Sequence, residues 1–374
     1  MKIMSIFGTR PEIIRLSRIF ELLDNNFEHV MVNTSQNFTH ELNTVFFDEM
    51  KIRKPDYDMR VNTEAYGKEV ADVIIKAEKL LKKEKPDIVH TFLPENNTVG
   101  GFIAELAGIK IRIASRRNRN HYRKQQPLFT HFEDWINRRA TLILGNSRAV
   151  LNDLLNEGIE AERLGVIYNG VEAERFRDLD RNTSRLDFGL ELHQLCLTVV
   201  ANFNLKKRHV DLLEALAQIK TSLPDQWILF LVGRNDGTEG KLKQLAKEKD
   251  LEANVRFFGP RDDVAKILAA SDIGILSSEE EGFANAILEY MAAGLPVVAT
   301  DVGGNREAIT EQEGFVVPKG DTKAMANAIL QLALDRNLRQ KMGRLGRLRA
   351  MKTFSVDSMV KEHQKVYLEL LSPK

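Results

Sequence analysis

Short apolar runs alternate with longer amphipathic stretches along most of the chain. The runs 2–7, 29–34, 87–92, 109–114, 141–145 and 166–168 have strand length and little polar alternation, as strands buried on both faces do. Between them apolar positions recur at helical spacing. In 68–84, Val70, Val73, Ile74, Ala77, Leu80 and Leu81 share one face, and Pro86 ends the helix. Pro11 sets the start of a helix reaching Asp24, and further helices are predicted over 98–107, about 129–139 and from Arg148. Residues 171–194 break the alternation and read as a link. It then resumes with strands 195–201, 227–232, 255–258, 272–276 and 314–317, and helices 208–222, 239–250, 262–270, from 321 and from 337. The pattern predicts α/β architecture with two doubly wound domains, 1–170 and 195–355, followed by a terminal helical segment, 356–374.

The totals agree with that division, because 374 residues is long for a single core. The 54 basic and 53 acidic residues balance, so bulk charge supports no nucleic-acid partner. The single cysteine, Cys196, excludes an intrachain disulfide framework and cysteine-rich metal sites, and suits a reducing cytosol. No apolar run approaches the ~20 residues of a membrane span, and the opening MSIFG is too short for a signal peptide. The expectation is a soluble cytoplasmic protein, with peripheral membrane association left open.

Candidate chemistry concentrates in 277–308, SSEEEGFANAILEYMAAGLPVVATDVGGNREA. A strand end, a glycine turn at Gly282 and a helix carrying Ala286, Ile287, Tyr290 and Met291 follow one another, with Gly294 and Pro296 closing the helix. Amides at the helix start, around Phe283, Ala284 and Asn285, form an anion site that fits a diphosphate. Gly282 removes a side chain where backbone must approach a ligand. Glu281 and Glu289 bracket the turn, and each carboxylate can accept hydroxyl hydrogen bonds, Glu289 from a ribose and Glu281 from a sugar. The chemistry suits a nucleotide sugar.

EGFANAILEYMAAGLPVVATDVGGNRE resembles the donor-site motif of retaining glycosyltransferases of family 4, with its E-x7-E signature. The resemblance implies a GT-B fold, two Rossmann-like domains facing a cleft, with the last helix crossing back onto the first domain. It implies a UDP-sugar donor, no cofactor and no metal; Asp56-Tyr57-Asp58 and Asp178-Leu179-Asp180 match a metal-binding Asp-x-Asp by chance. The string ANFNLKKRHVDLLEAL places the diphosphate-neutralising lysine at Lys207, beside Glu281 as the other catalytic residue. The family's arginine a few residues earlier is absent, leaving Arg208 or another cation to substitute. Arg234, Arg256 and Phe258 fall at strand ends that resemble the donor and base-binding positions, and Asn169-Gly170-Val171 resembles a structural hinge turn. On the acceptor side the resemblance offers His90, Arg116, Arg117 and His121. The run 110–124, with seven basic residues and no acid, points to an anionic lipid-linked acceptor, an anionic bilayer or a solvated loop.

The N-terminus differs. Residues 6–58, opening IFGTRPE, are similar to non-hydrolysing UDP-GlcNAc 2-epimerases, which implies that Gly8 and Arg10 meet the nucleotide sugar. From about 86 onward the likeness returns to family 4, so the chain reads as a hybrid with 1–60 epimerase-like. The epimerases' acid–base glutamate is replaced by Ser115-Arg116-Arg117-Asn118, which argues against epimerisation. Two principal readings stand: a transferase moving a hexose or N-acetylhexosamine from a UDP-sugar to a saccharide or lipid-linked acceptor, and a nucleotide-binding hybrid that transfers nothing.

Overall fold

The computed structural model describes residues 1–7, 10–34, 52–59, 66–92, 94–119 and 127–372. The chain divides into two compact units. Unit 1 comprises Met1–Tyr168 with Met359–Lys374, and unit 2 comprises Asn169–Ser358.

Unit 1 runs β1 (Lys2–Phe7), α1 (Arg10–Asn26), β2 (Glu28–Asn33), β3 (Tyr57–Asp58), α2 (Tyr66–Glu84), β4 (Ile88–Phe92), α3 (Pro94–Leu106), β5 (Ile111–Arg116), α4 (Pro127–Asn137), β6 (Leu142–Gly145), α5 (Arg148–Asn156) and β7 (Leu164–Val166). Its parallel sheet has the order β3-β2-β1-β4-β5-β6-β7. β4 is buried at all five positions, the burial a parallel strand covered on both faces requires. The helices start where local chemistry permits: Pro94 and Pro127 open α3 and α4, and Ser147 caps α5 by accepting from Val150 N. β3 is two residues long and escaped the apolar pattern; Asp56 beside it accepts from Met31 N and pairs with Arg53.

Unit 2 contains α6 (Arg181–Asp187), β8 (Leu195–Val200), α7 (His209–Ile219), β9 (Trp227–Val232), α8 (Glu239–Glu248), β10 (Val255–Phe258), α9 (Val264–Ala270), β11 (Ile273–Leu276), α10 (Asn285–Ala292), β12 (Val297–Thr300), α11 (Asn305–Ala308), β13 (Gly314–Val317), α12 (Thr322–Leu334) and α13 (Arg336–Thr353). Its sheet order is β10-β9-β8-β11-β12-β13. Its core packs Leu195, Leu197 and Val199 of β8 with Leu212 and Leu216 of α7 and Ile329 and Leu332 of α12. The stretch 171–194 is folded into this unit: α6 carries Arg185, fully buried, which donates to the carbonyls of Ala270 and Glu191 and to Asp272. Helix α14 (Val356–Leu371) leaves unit 2, and from Met359 onward it belongs to unit 1.

Strand order reverses in each sheet. In unit 2, β8 to β10 build outward in one direction and β11 returns to the other side of β8, so the loops after β8 and β11 separate at a switch point, where open α/β sheets bind ligands. The matching place in unit 1 lies between β1 and β4. Gly8 there falls outside the described residues.

Candidate functional site

The site in unit 2 is built from the loops leaving β8, β11 and β12. Phe203, with no exposed surface, anchors the first: its N–H donates to Arg234 O (2.8 Å) and its carbonyl accepts from Asp236 N (3.1 Å). The loop then turns back to the β11 loop. Lys206 O accepts from Glu279 N (2.8 Å), and Lys207 O accepts from Ser277 Oγ (2.8 Å). These bonds bring two distant sequence signals together, and Lys207 Nζ meets Glu281 Oε1 at 2.5 Å. Ser278 Oγ donates to the same carboxylate oxygen (2.7 Å), fixing its rotamer.

The β12 loop closes over this pair. Gly304 N donates to Gly282 O (2.9 Å), and Thr300 Oγ1 donates to Ser278 O (2.6 Å). Gly303 has φ +53°, and a Cβ there would sit 1.9 Å from Glu281 O, so glycine is demanded by both conformation and space. α10 begins without a side-chain cap: its first flanking residue, Ala284, is extended and has no side chain that could bond the amides of the first turn. An uncapped helix start and a nearby lysine both suit an anion.

α10 is locked from two sides. Tyr290 Oη accepts from Val200 N (2.7 Å) and donates to Ile275 O (3.1 Å), and its ring occupies the space a Cβ at Gly274 would fill. Asn169 is the second lock. Its Nδ2 donates to Phe283 O (3.0 Å) and to Asn285 Oδ1 (2.7 Å), holding the turn that presents the anion site. In the sequence Asn169 belongs to a turn that resembles a structural hinge, and Tyr290 is one of the helix-spaced positions of α10. The offset of 116 residues between Asn169 and Asn285 left no local signal for the first role.

Glu289, one turn into α10, keeps partial exposure, yet the protein packed around it pushes its carboxyl up to about 7, against a smaller lowering effect of Arg175. His209, at the start of α7, is buried, and desolvation followed by the Lys207 charge depresses it to about 4. Arg208, offered as a substitute for the absent arginine, donates to Asp211 through Nε (3.0 Å) and Nη2 (2.7 Å). The structure thus joins Lys207, Glu281, Gly282, Phe283, Ala284 and Asn285 in one place, with Glu289 on the same helix. Arg234 adjoins the Phe203 loop, but its guanidinium is exposed and paired with Asp236 (2.7 Å). The Arg256 side chain donates to Phe188 O (2.7 Å), and the Phe258 ring packs on Phe188 and Phe230.

Two of the four acceptor-side candidates, His90 and Arg116, are buried. His90 is fully buried in unit 1, hydrogen-bonded through Nδ1 to Tyr367 (2.7 Å) and through Nε2 to Ser115 (2.9 Å), and so is unavailable to an acceptor. Arg116 is also buried and pairs with Glu157 at 2.5 Å. Arg117 is half-buried. His121 lies outside the described residues, as does the side chain of Arg10, whose backbone opens α1. Among the described residues, no His, Cys, Asp and Glu side chains gather to hold a metal ion, and no helix is long and apolar enough to cross a membrane.

Two family models match the chain: "Glycosyl transferases group 1" over residues 180–349 and "Glycosyltransferase Family 4" over 38–175. A putative glycosyltransferase of Bacillus subtilis, EpsD, is 31% identical over 307 residues, 77% of this chain and 78% of that protein. The N-acetyl-alpha-D-glucosaminyl L-malate synthase of Bacillus anthracis is 32% identical over 60% of this chain, and the match spans 59% of that relative. A UDP-N-acetylglucosamine 2-epimerase of Methanocaldococcus jannaschii is 27% identical over 274 residues, 69% of this chain and 72% of its own. An alignment that long reaches well past residue 60, and the family 4 match begins at 38, inside the epimerase-like segment. The epimerase likeness is therefore real but not confined to the N-terminus. Among solved structures, HepE of Anabaena in complex with UDP superposes with a TM-score of 0.84 at 20% identity, covering 99% of this chain and 100% of that one, which shows the GT-B fold. With EpsD aligned over three quarters of both proteins and the two models together spanning 38–349, the chain belongs to the group 1, family 4 glycosyltransferases.

Proposed function

We propose that this chain transfers a hexose or N-acetylhexosamine from a UDP-sugar to a saccharide or lipid-linked acceptor, in the cytoplasm and with retention at the anomeric carbon. The observation that carries the proposal is the Lys207–Glu281 pair set beside the uncapped start of α10 at the switch point of unit 2. In this reading the diphosphate lies on the amides of Gly282–Asn285 with Lys207 as its counter-charge, without a metal. Lys207 stabilises the charge that develops on the departing phosphate as the glycosidic bond breaks. Glu281 holds the donor sugar and Glu289 accepts from the ribose hydroxyls. UDP in the HepE structure supports a uridine nucleotide as donor.

A second reading, nucleotide binding without transfer, is favoured by one observation. Where the resemblance expects a second cation, Arg208 is committed to Asp211. Isothermal titration with UDP, followed by hydrolysis and transfer assays on UDP-sugars, tests both. Lys207→Ala is expected to weaken UDP binding roughly 10- to 100-fold, the loss of one charge-assisted contact. Unchanged affinity would remove the site from unit 2. UDP binding without turnover on any UDP-sugar would leave the second reading, and interconversion of epimeric UDP-sugars would restore the epimerase.

A further inference from the structure

The two ends of unit 2 meet at the turn Gly282–Asn285. Asn169, the first residue of the unit, bonds that turn directly through Phe283 O and Asn285 Oδ1. Two residues on, Val171 N donates to Phe354 O (2.8 Å) and Val171 O accepts from Val356 N (3.3 Å), so Val171 and Ser355 form a parallel bridge. Gly170 makes the close approach possible. A Cβ there would lie 2.7 Å from Val356 Cα and 3.0 Å from its nitrogen, against backbone rather than a flexible side chain.

This pairing brings Phe354, the residue that closes α13, to the same turn. Phe354 is buried, and its ring centroid lies 5.4 Å from that of Phe283, also buried. Phe283 is thus held twice, at its carbonyl by Asn169 and at its ring by Phe354. Arg349 of α13 extends the grip. Its guanidinium carbon lies 5.5 Å from the Phe354 ring centroid, and it donates through Nε to Ala308 O (3.0 Å) and through Nη2 to Glu307 O (2.9 Å) at the end of α11. α11 follows Gly304, whose N–H donates to Gly282 O. Gly282 and Phe283 are therefore both tied to Phe354, the second by ring contact and the first through Arg349 and α11.

We propose that Phe354 is a positioning residue for the donor: held by the paired ends of unit 2, it sets where the Gly282–Asn285 amides point and so how well they meet a diphosphate. This role rests on the reading of that turn as the diphosphate site. Phe354 lies outside every motif that the sequence offers for the donor, and its contact with Phe283 joins the end of α13 to the start of α10. Core packing alone would stabilise the whole unit and would not single out one turn. Coupling free energies are reciprocal, so a ligand that favours the ordered turn favours the pairing of the ends, and whatever loosens the ends weakens the ligand.

UDP titration of the full chain and of Lys207→Ala establishes the site first. Phe354→Leu keeps the burial and loses the ring, and should weaken UDP binding about 3- to 10-fold, the scale of one aromatic pair. Phe283→Leu combined with Phe354→Leu should cost no more than Phe354→Leu alone, as for two rings that act through each other. Gly170→Ala forces the ends apart without emptying the core, and should weaken UDP in the same direction. Leu332→Ala, in the core beside α7, is the control: the melting temperature falls and UDP affinity holds. Hydrogen exchange of the UDP-free chain reads the same geometry without ligand. Amides of 282–286 should exchange faster in Phe354→Leu and Gly170→Ala than in Leu332→Ala. If the turn exchanges alike in all three, or Phe354→Leu weakens UDP no more than Leu332→Ala does, Phe354 is core packing only; the proposal is overturned while the diphosphate site stands. A chain that does not bind UDP, or binds it equally well in Lys207→Ala, overturns the site and this role together.

Discussion

At the scale of single residues, Glu281 and Lys207 hold each other before any donor arrives. A carboxylate and an ammonium at 2.5 Å satisfy one another, and a diphosphate bound as proposed would compete for the lysine. Glu281→Gln frees Lys207 from that competition, so UDP should bind as well as before or more tightly while transfer falls about 100-fold, the scale of losing one contact at the reacting sugar. Titration and steady-state kinetics on one preparation separate the two; equal loss of both would make the pair a structural strut. Glu289 adds a pH dependence. With its carboxyl pushed up to about 7, Glu289 in the role proposed for it would accept from both ribose hydroxyls best once the proton has left. UDP affinity should therefore rise with pH up to about 7 and level off above it, and Glu289→Gln should remove that component. In the free protein the sign is opposite. The folded state holds this proton more tightly than the unfolded chain, so the stability it contributes is present below pH 4.5 and lost as pH rises through about 7.

Among the elements, α10 and its flanking turns show what could be read from the chain and what could not. The spacing of Gly282, Ala286, Ile287, Tyr290 and Gly294 is local, so the helix and its ends were legible, and Gly294 closes it with φ +78°. The unit 2 strands were legible for the same reason: β9 is buried at six successive positions. Contacts made across the chain were hidden. His90, an acceptor-side candidate at a strand end, is hydrogen-bonded by Tyr367, 277 residues away, which leaves no local signal. Arg116, another acceptor-side candidate, pairs with Glu157, 41 residues away. Asn169 is the functional counterpart of these misses. Asn169→Asp would set a carboxylate oxygen against Phe283 O and Asn285 Oδ1, where Nδ2 now donates to both. The anion turn should loosen, and UDP affinity should drop about 10-fold, the effect of about 1.4 kcal/mol. An unchanged dissociation constant, with the melting temperature also held, would return Asn169 to a plain hinge.

Across the whole molecule, the described histidines with depressed pKa are distributed unevenly. Unit 1 buries His90 and His363 and partly shields His29, all lowered chiefly by desolvation, while unit 2 has His209. A histidine near 4 in the folded state and 6.5 in the unfolded chain binds its proton less readily when folded. The stability it contributes is therefore intact above pH 6.5 and lost progressively as pH falls toward 4, up to about 3 kcal/mol for each such group. Unit 1 should consequently soften first in acid. Calorimetric scans at pH 7 and pH 5 would show this as a larger fall in one transition. Added UDP identifies the other, because a ligand bound to unit 2 raises that unit's transition alone. If the UDP-responsive transition is instead the one that collapses at pH 5, the buried imidazoles of unit 1 are not what limits its acid stability. The polar contact that ties α14 to His90 would then have to survive protonation, with Tyr367 and Ser115 both turning to accept from a charged ring.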